Sequence, residues 1–428
     1  MICLIEALNY RSLRCLSQKI SPFNILIGPN ASGKTTFLDA VAFVGDMLKF
    51  GPEESIRRRA RSIEEMTWNR LGNRFELAIE FALPERLYGL KNNGAYTQCR
   101  YEIALGYSSE NEAALLNEVF WLKSDEGKKS YRRQPESQAP QIELSLGFPR
   151  ENPVVDSILV APRKHSPMGW RKVVNKISES GNDWFKAESG DWNNLFRLGP
   201  RKSSLANLPE DEQKFPVSTW AKRLLMEGIQ VLALNSLAMR QPCSPLTPKR
   251  FVPDGSNLPL AIRELQKDSN RYQQWLAHVQ TALPDIQAIE VQERQEDRHL
   301  FLEVIYQTGT RVPSWLVSDG TLRLLALTLI AYLPSEGSIY LIEEPENGLH
   351  PRAVEAVYES LSSVYDNQIL VASHSPIFLS LARLEQILCF GKTLTGATDV
   401  IVGTEHPKLK DWRGEVNLSV LFASGVLG

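Results

Sequence analysis

Cysteine is scarce and scattered. Cys3, Cys15, Cys99, Cys243 and Cys389 form no Cys-x-x-Cys pair and no zinc-ligand spacing. That excludes a zinc ribbon, a dithiol redox centre and a disulfide framework. It leaves reduced thiols of a cytoplasmic protein as the reading. Long hydrophobic runs are missing too. The most apolar stretch, Leu322 to Leu333, is too short for a membrane span and carries Arg323. Charge of one sign is also missing, with 48 Lys and Arg against 50 Asp and Glu. A net charge of −2 gives no global basic field for nucleic acid, though a local patch stays open. Sustained heptads, internal repeats and low-complexity tracts are absent, which excludes a long coiled coil or a solenoid. The chain enters an apparent strand at once, without a signal peptide, which again points to the cytoplasm. Its 428 residues suggest two or three domains.

What is present is Gly28-Pro29-Asn30-Ala31-Ser32-Gly33-Lys34-Thr35, a complete phosphate-loop match. Phe23 to Ile27 precedes it as a predicted strand, and Thr36 to Ala42 follows as a predicted helix. Strand, loop and helix in that order are the context the motif needs. Gly28 and Gly33 let loop amides turn inward onto phosphate oxygens. Lys34 reaches the outer phosphates, and the Thr35 hydroxyl can ligate Mg²⁺. The nucleotide-binding set is therefore residues 28 to 35 with Thr36. The bland alternative is a glycine-containing strand-to-helix turn.

A second group of motifs lies over three hundred residues downstream. Ile339 to Ile342 reads as a buried strand ending in Glu343 and Glu344. In many nucleotide hydrolases the first acid holds Mg²⁺ or its water, and the next polarises the attacking water. Adjacent strand residues point to opposite faces, but at the last residue that alternation relaxes, so both acids can face one site. The alternative is a solvated acidic turn. Gln368 to Pro376 gives another strand, ending at His374, which can hydrogen-bond a terminal phosphate. A lone histidine is otherwise a structural residue. Ser318-Asp319-Gly320-Thr321 opens a predicted helix, where Ser and Gly form an anion site and a helix cap with the same amides.

The phosphate loop, Ser318 to Thr321 as "SDGT", and Glu343 to Pro351 as "EEPENGLHP", followed by His374, resemble the ABC-type ATPase heads of the RecF, SMC and OLD-like group. Asp254 to Leu258 is similar to the "DGSNL" element of the same prokaryotic ATPases. The resemblance covers both ends of the chain better than the middle. It implies an ATPase with ATP and Mg²⁺. Lys34 and Thr35 would bind phosphates and metal, Glu343 would stand beside Mg²⁺, and Glu344 would be the general base. Ser318 and Gly320 would contact the γ-phosphate of a nucleotide held by a second subunit, and His374 would be the switch histidine. A homodimer or higher oligomer around ATP follows. Asp319 and Thr321 depart from the transporter-type signature, which argues against a membrane transporter ATPase. The family's Q-loop glutamine has no clear counterpart, and Gln98 is a candidate on order alone.

The resulting fold class is α/β: an ABC-type P-loop head, a mixed sheet with an antiparallel lobe, plus an inserted mainly helical lobe. Residues 1–150 carry the phosphate loop, 151–298 form the insertion, and 299–428 carry the signature, the acids and His374. Phe75 to Ala82, Arg100 to Tyr107 and Val119 to Leu122 read as strands of the antiparallel lobe, and His299 to Tyr306 as a strand leading into the second half of the head. Helices are expected at Ser218 to Glu227, Asn257 to Gln266 and Arg271 to Leu283.

Only about fifty residues follow His374, with few acids, which is short for a TOPRIM nuclease. An effector, a TOPRIM-type nuclease or a toxin, is therefore expected in trans. The function implied is an ATP-gated sensor in prokaryotic anti-phage defence; the alternative is a RecF-like repair ATPase binding DNA directly. Three basic clusters bear on DNA: Arg57, Arg58, Arg59 and Arg61; Lys128, Lys129, Arg132 and Arg133; and Arg163, Lys164, Arg171 and Lys172, with Trp170 beside the third. Each can meet phosphates, but a solvated face is the favoured reading of any single cluster.

Overall fold

A computed structural model describes residues 1–88, 96–124, 147–160, 166–177, 183–334, 337–364 and 366–409. The hairpin β1 (Ile2–Tyr10) and β2 (Leu13–Lys19) leads into β3 (Phe23–Ile27) and α1 (Lys34–Arg57). Six strands follow: β4 (Arg74–Ala82), β5 (Tyr96–Tyr107), β6 (Ala113–Ser124), β7 (Trp170–Ile177), β8 (Asp183–Lys186) and β9 (Asn193–Phe196). Then come α2 (Pro216–Arg223), β10 (Ile229–Leu232), α3 (Ser236–Met239), α4 (Leu258–Leu265) and α5 (Ser269–Ala282). The strands β11 (Ile286–Glu293), β12 (Leu300–Tyr306) and β13 (Arg311–Pro313) precede α6 (Asp319–Leu329). The last elements are β14 (Ile339–Glu343), α7 (Pro351–Ser362), β15 (Gln368–Ala372), α8 (Pro376–Leu381), β16 (Ile387–Lys392) and β17 (Thr398–Val402).

Three sheets result. An antiparallel sheet runs in the order β2-β1-β4-β5-β6-β7-β8-β9. A second runs β10-β14-β15-β3-β16-β17, parallel except for its last pair. A short third sheet orders β11-β12-β13. The parallel strands read as near-continuous apolar runs because both of their faces are covered. Alternation assigns the faces. Leu26, Leu341 and Leu370 pack with Phe37, Val41 and Phe43 of α1 and with the antiparallel sheet. Ile25, Ile342 and Val371 pack on the other side with Leu325, Val357 and Phe378 of the C-terminal helices. So α1 is held between two sheets, and the phosphate loop at its start is fixed from both sides.

Residues 151–298 hold the expected helices α2, α4 and α5, together with strands that the sequence pattern did not show. Strands β7–β9 extend the antiparallel sheet, β10 edges the parallel one, and β11 joins the third. The physical reason lies in β7, whose Arg171 and Lys172 hide its strand pattern. Lys172 is accommodated because its ammonium lies 4.8 Å from the Trp121 ring centre. Among the described residues no helix is long and apolar enough to cross a membrane.

Candidate nucleotide site

The C-terminal ends of adjacent parallel strands are where open α/β sheets bind ligands. Here β14, β15 and β3 are neighbours, so Glu343, His374 and the phosphate loop emerge side by side. They line one cavity of about 310 Å³, together with Asn30 to Thr36, Glu344, Ala372 and Ser12. That volume falls at the lower end of the range for small-ligand sites, about 300–1,000 Å³.

The loop geometry follows from its glycines. Gly33 has φ +104°, and a Cβ there would overlap Thr398 Oγ1. Gly33→Ala is therefore expected to strain the loop by about 1–3 kcal/mol. Thermal unfolding followed with and without ATP checks this: the melting temperature falls, and the shift given by ATP disappears. Gly28 and Pro29 are not in the cavity wall. Their carbonyls accept hydrogen bonds from Lys34 Nζ at 2.8 and 2.9 Å, which parks the ammonium at the loop mouth. Burial lowers the Lys34 pKa, and Glu344 and Glu343 oppose that shift.

Glu343 shares the α1-facing side of β14 with Ile339 and Leu341. Its Oε2 accepts a hydrogen bond from Thr35 Oγ1 at 3.0 Å. Glu344 would point away by alternation, but its φ of +47° turns it back into the same cavity. Its backbone N–H donates to Ala372 O at 2.8 Å, and Asn347 Nδ2 donates to its Oε2. A non-glycine residue at positive φ is strained by about 1–3 kcal/mol and marks a position held for its side chain. His374 is oriented from below by Glu346. One oxygen of Glu346 accepts from His374 N and from Ser373 Oγ, both at 2.8 Å. Burial, then the charge of Lys34, hold the His374 imidazole below its ordinary pKa, so it is neutral near pH 7.

A hydroxyl and a carboxylate beside a phosphate cradle suit Mg²⁺, which is held by one or two protein oxygens plus substrate phosphates. Thr35 and Glu343 supply that pair. Among the described residues there is no separate cluster of three His, Cys, Asp or Glu side chains.

Ser318 and Gly320 are not brought to this cavity. They lie on the surface at the N-terminus of α6. Ser318 Oγ accepts from Thr321 N at 3.1 Å, and Asp319 pairs with Arg240 at 2.6 Å. A Cβ on Gly320 would sit 2.8 Å from Gly348 O, so glycine permits close packing of the signature on the acidic-motif loop. The "DGSNL" element is not at the cavity either. Asn257 bonds Val252 N, Pro248 O and Arg250 O and so holds the loop before α4. Gln98 sits in β5, with Nε2 3.9 Å from Cys3 Sγ, and does not line the cavity.

Sequence reasoning missed Ser12, whose hydroxyl is 2.9 Å from Thr398 Oγ1. It also missed an adjoining cavity of about 290 Å³ that shares Thr35 and Glu343. There Asp39 and Asp46 of α1 pair with Arg59 at 2.6 and 2.8 Å. Three of the four arginines of the first basic cluster are paired: Arg59 goes to these acids, and Arg57 and Arg58 share Glu54. The second cluster, and Arg163 and Lys164 of the third, lie outside the described residues.

Two family models match the chain. One, described as "AAA domain, putative AbiEii toxin, Type IV TA system", matches residues 166–380, half of the chain. The other, an AAA ATPase domain, matches residues 1–147. The chromosome partition protein Smc of Methanocaldococcus jannaschii is 23% identical over 175 residues. That match covers 41% of this chain and 14% of that protein, so the chain spans a small part of its length. Among solved structures, an Smc head bound to the C-winged helix domain of ScpA is similar in fold. Its TM-score is 0.52 at 14% identity, covering 94% of this chain and 96% of that one.

Proposed function

The chain belongs to the AAA-domain family whose model spans residues 166–380 and is an ABC-type ATPase, and we propose that it closes as a dimer around ATP to gate a separate effector protein. The observation that carries this reading is a separation. Lys34, Thr35, Glu343, Glu344 and His374 share one cavity, while Ser318 lies exposed outside it and Gly320, half-buried beside Gly348, lies outside it too. A helix N-terminus with free surface is an anion site waiting for a phosphate it does not itself hold. A second copy can supply that phosphate.

In this reading the loop amides and Lys34 hold the phosphates, and Thr35 and Glu343 hold Mg²⁺. The bound ion would neutralise charge on the β- and γ-phosphates. Glu344 takes the proton of the attacking water, and neutral His374 donates a hydrogen bond to the γ-phosphate. The toxin–antitoxin wording of the family description supports a role in prokaryotic defence, with a nuclease or toxin as effector. The ScpA domain on the similar Smc head supports a protein partner in trans.

Light scattering of the Glu344→Gln protein tests the sandwich. It is expected to be monomeric alone and dimeric with ATP and Mg²⁺. Adding Ser318→Arg should leave ATP binding intact and prevent the dimer. A Ser318→Arg protein that dimerises normally, or loses ATP binding as a monomer, sinks the reading. Purification with the neighbouring gene products then tests the effector. A stoichiometric nuclease or toxin supports gating. An ATPase that purifies alone and is stimulated by DNA supports the RecF-like alternative.

A further inference from the structure

A cavity of about 380 Å³ opens at the far side of the antiparallel sheet, where β5 and β7 begin and β8 runs alongside. Tyr96, Trp170 and Trp184 give it aromatic walls, and Arg171, Lys172 and Lys186 give it three cations. Among the described residues no acidic side chain lines it. Arg171 donates from Nε and Nη2 to the carbonyls of Ala187 and Gly190, bonds that do not use Nη1, and Lys172 donates to Asn175 Oδ1 at 3.0 Å. These hydrogen-bond partners are neutral and fix the side chains, while Glu188 and Glu102, outside the cavity wall, are the acids that act on Arg171 and Lys172 from a distance. None of the three cations forms an ion pair among the described residues. Strand alternation puts Trp184 and Lys186 on one face of β8, so a ring and an ammonium stand side by side.

We propose that this cavity binds an unpaired nucleotide of a single-stranded nucleic acid, with the base against Tyr96 and Trp184 and the phosphates on Arg171, Lys172 and Lys186. Single strands are bound by this combination, a basic surface along the backbone and rings on which bases stack. A duplex offers the cations its phosphates but has no free base for the rings. An acidic peptide would use the cations and leave the aromatic walls without a partner. The whole chain carries a net charge of −2, so the attraction is local and screened by salt. The proposal does not rest on the dimer reading, because no residue is shared with the nucleotide site.

Fluorescence anisotropy with labelled oligothymidine, oligouridine and a duplex of equal length tests it, using the full chain without ATP. The single strands are expected to bind about tenfold tighter than the duplex, and whichever of the two binds tighter identifies the strand recognised. The slope of log K against log salt should be about −2 for three phosphate contacts. Trp184→Leu should weaken binding about fivefold or more and leave that slope unchanged. Lys186→Glu, at a half-buried position, should weaken binding and flatten the slope by about 1. Both variants should keep their ATPase activity, which shows that they fold. Equal binding of the duplex, competition by polyglutamate at equal charge, or an unchanged affinity for Trp184→Leu would overturn the proposal. Each of those results would make the site a charge-only face for acidic partners.

Discussion

Glu344→Gln is expected to bind ATP as tightly as the unchanged protein and to hydrolyse it about 10²–10⁴ times more slowly. The substitution keeps size and hydrogen-bonding oxygen, so Asn347 Nδ2 still has its acceptor. The left-handed turn at residue 344 and its N–H bond to Ala372 O involve only backbone and persist. What is lost is the basicity. Glu343→Gln should behave differently. Its carboxylate takes the Thr35 hydroxyl at 3.0 Å, so the loss falls on the metal-binding pair, and ATP affinity in Mg²⁺ should fall with the rate. Phosphate release and ATP binding measured in parallel separate the two variants. Undiminished hydrolysis by Glu344→Gln would take the general base away from this residue.

The sequence made the nucleotide site legible because its signals are local. A glycine loop between a strand and a helix, and two acids at a strand end, are each read within ten residues. The alternation on β14 that turns Glu343 toward α1 was implicit in Ile339 and Leu341. What lay hidden was contact at long range. Ser12 meets Thr398 across almost the whole chain, and no spacing rule joins them. Glu346 reads as one more acid of an exposed turn until the fold lays it under Ser373 and His374. The strands β7 to β9 were masked by Arg171, Lys172 and polar neighbours, and only pairing with β6 identifies them. The third basic cluster was visible as composition. That Tyr96, Trp184 and Lys186 join it depends on sheet order, which sequence alone did not supply. Gln98 shows the converse, since order along the chain placed it near the site and the fold does not.

Arg100→Ala is expected to destabilise the folded chain by about 3–5 kcal/mol, the range for removing one partner of a buried ion cluster. Arg100 is buried in β5 and meets Glu6 of β1 at 2.6 Å, Glu80 of β4 at 3.1 Å and Glu102 of β5 at 2.6 Å. Its remaining nitrogen donates to Ile158 O at 3.0 Å. One guanidinium thus ties three adjacent strands and the 157–160 segment together. Without it, three carboxylates face one another, with Lys123 on Glu80 and Lys172 acting on Glu102 from further away. They would relieve the repulsion by holding protons, which raises their folded pKa values above the unfolded ones. A raised carboxylate pKa makes stability fall as pH rises, so the deficit should be larger at pH 8 than at pH 5. Arg100→Lys should recover part of the loss, because it keeps the charge and gives up the fork that reaches two acids at once. Urea unfolding at both pH values measures these differences, provided the slope with urea is unchanged. A loss below about 1 kcal/mol would mean that apolar packing, rather than this cluster, holds the sheet together. The effect reaches the nucleotide as well. Strand β1 feeds the turn that brings Ser12 into the phosphate cavity, so a sheet loosened at Glu6 weakens ATP binding from behind the site.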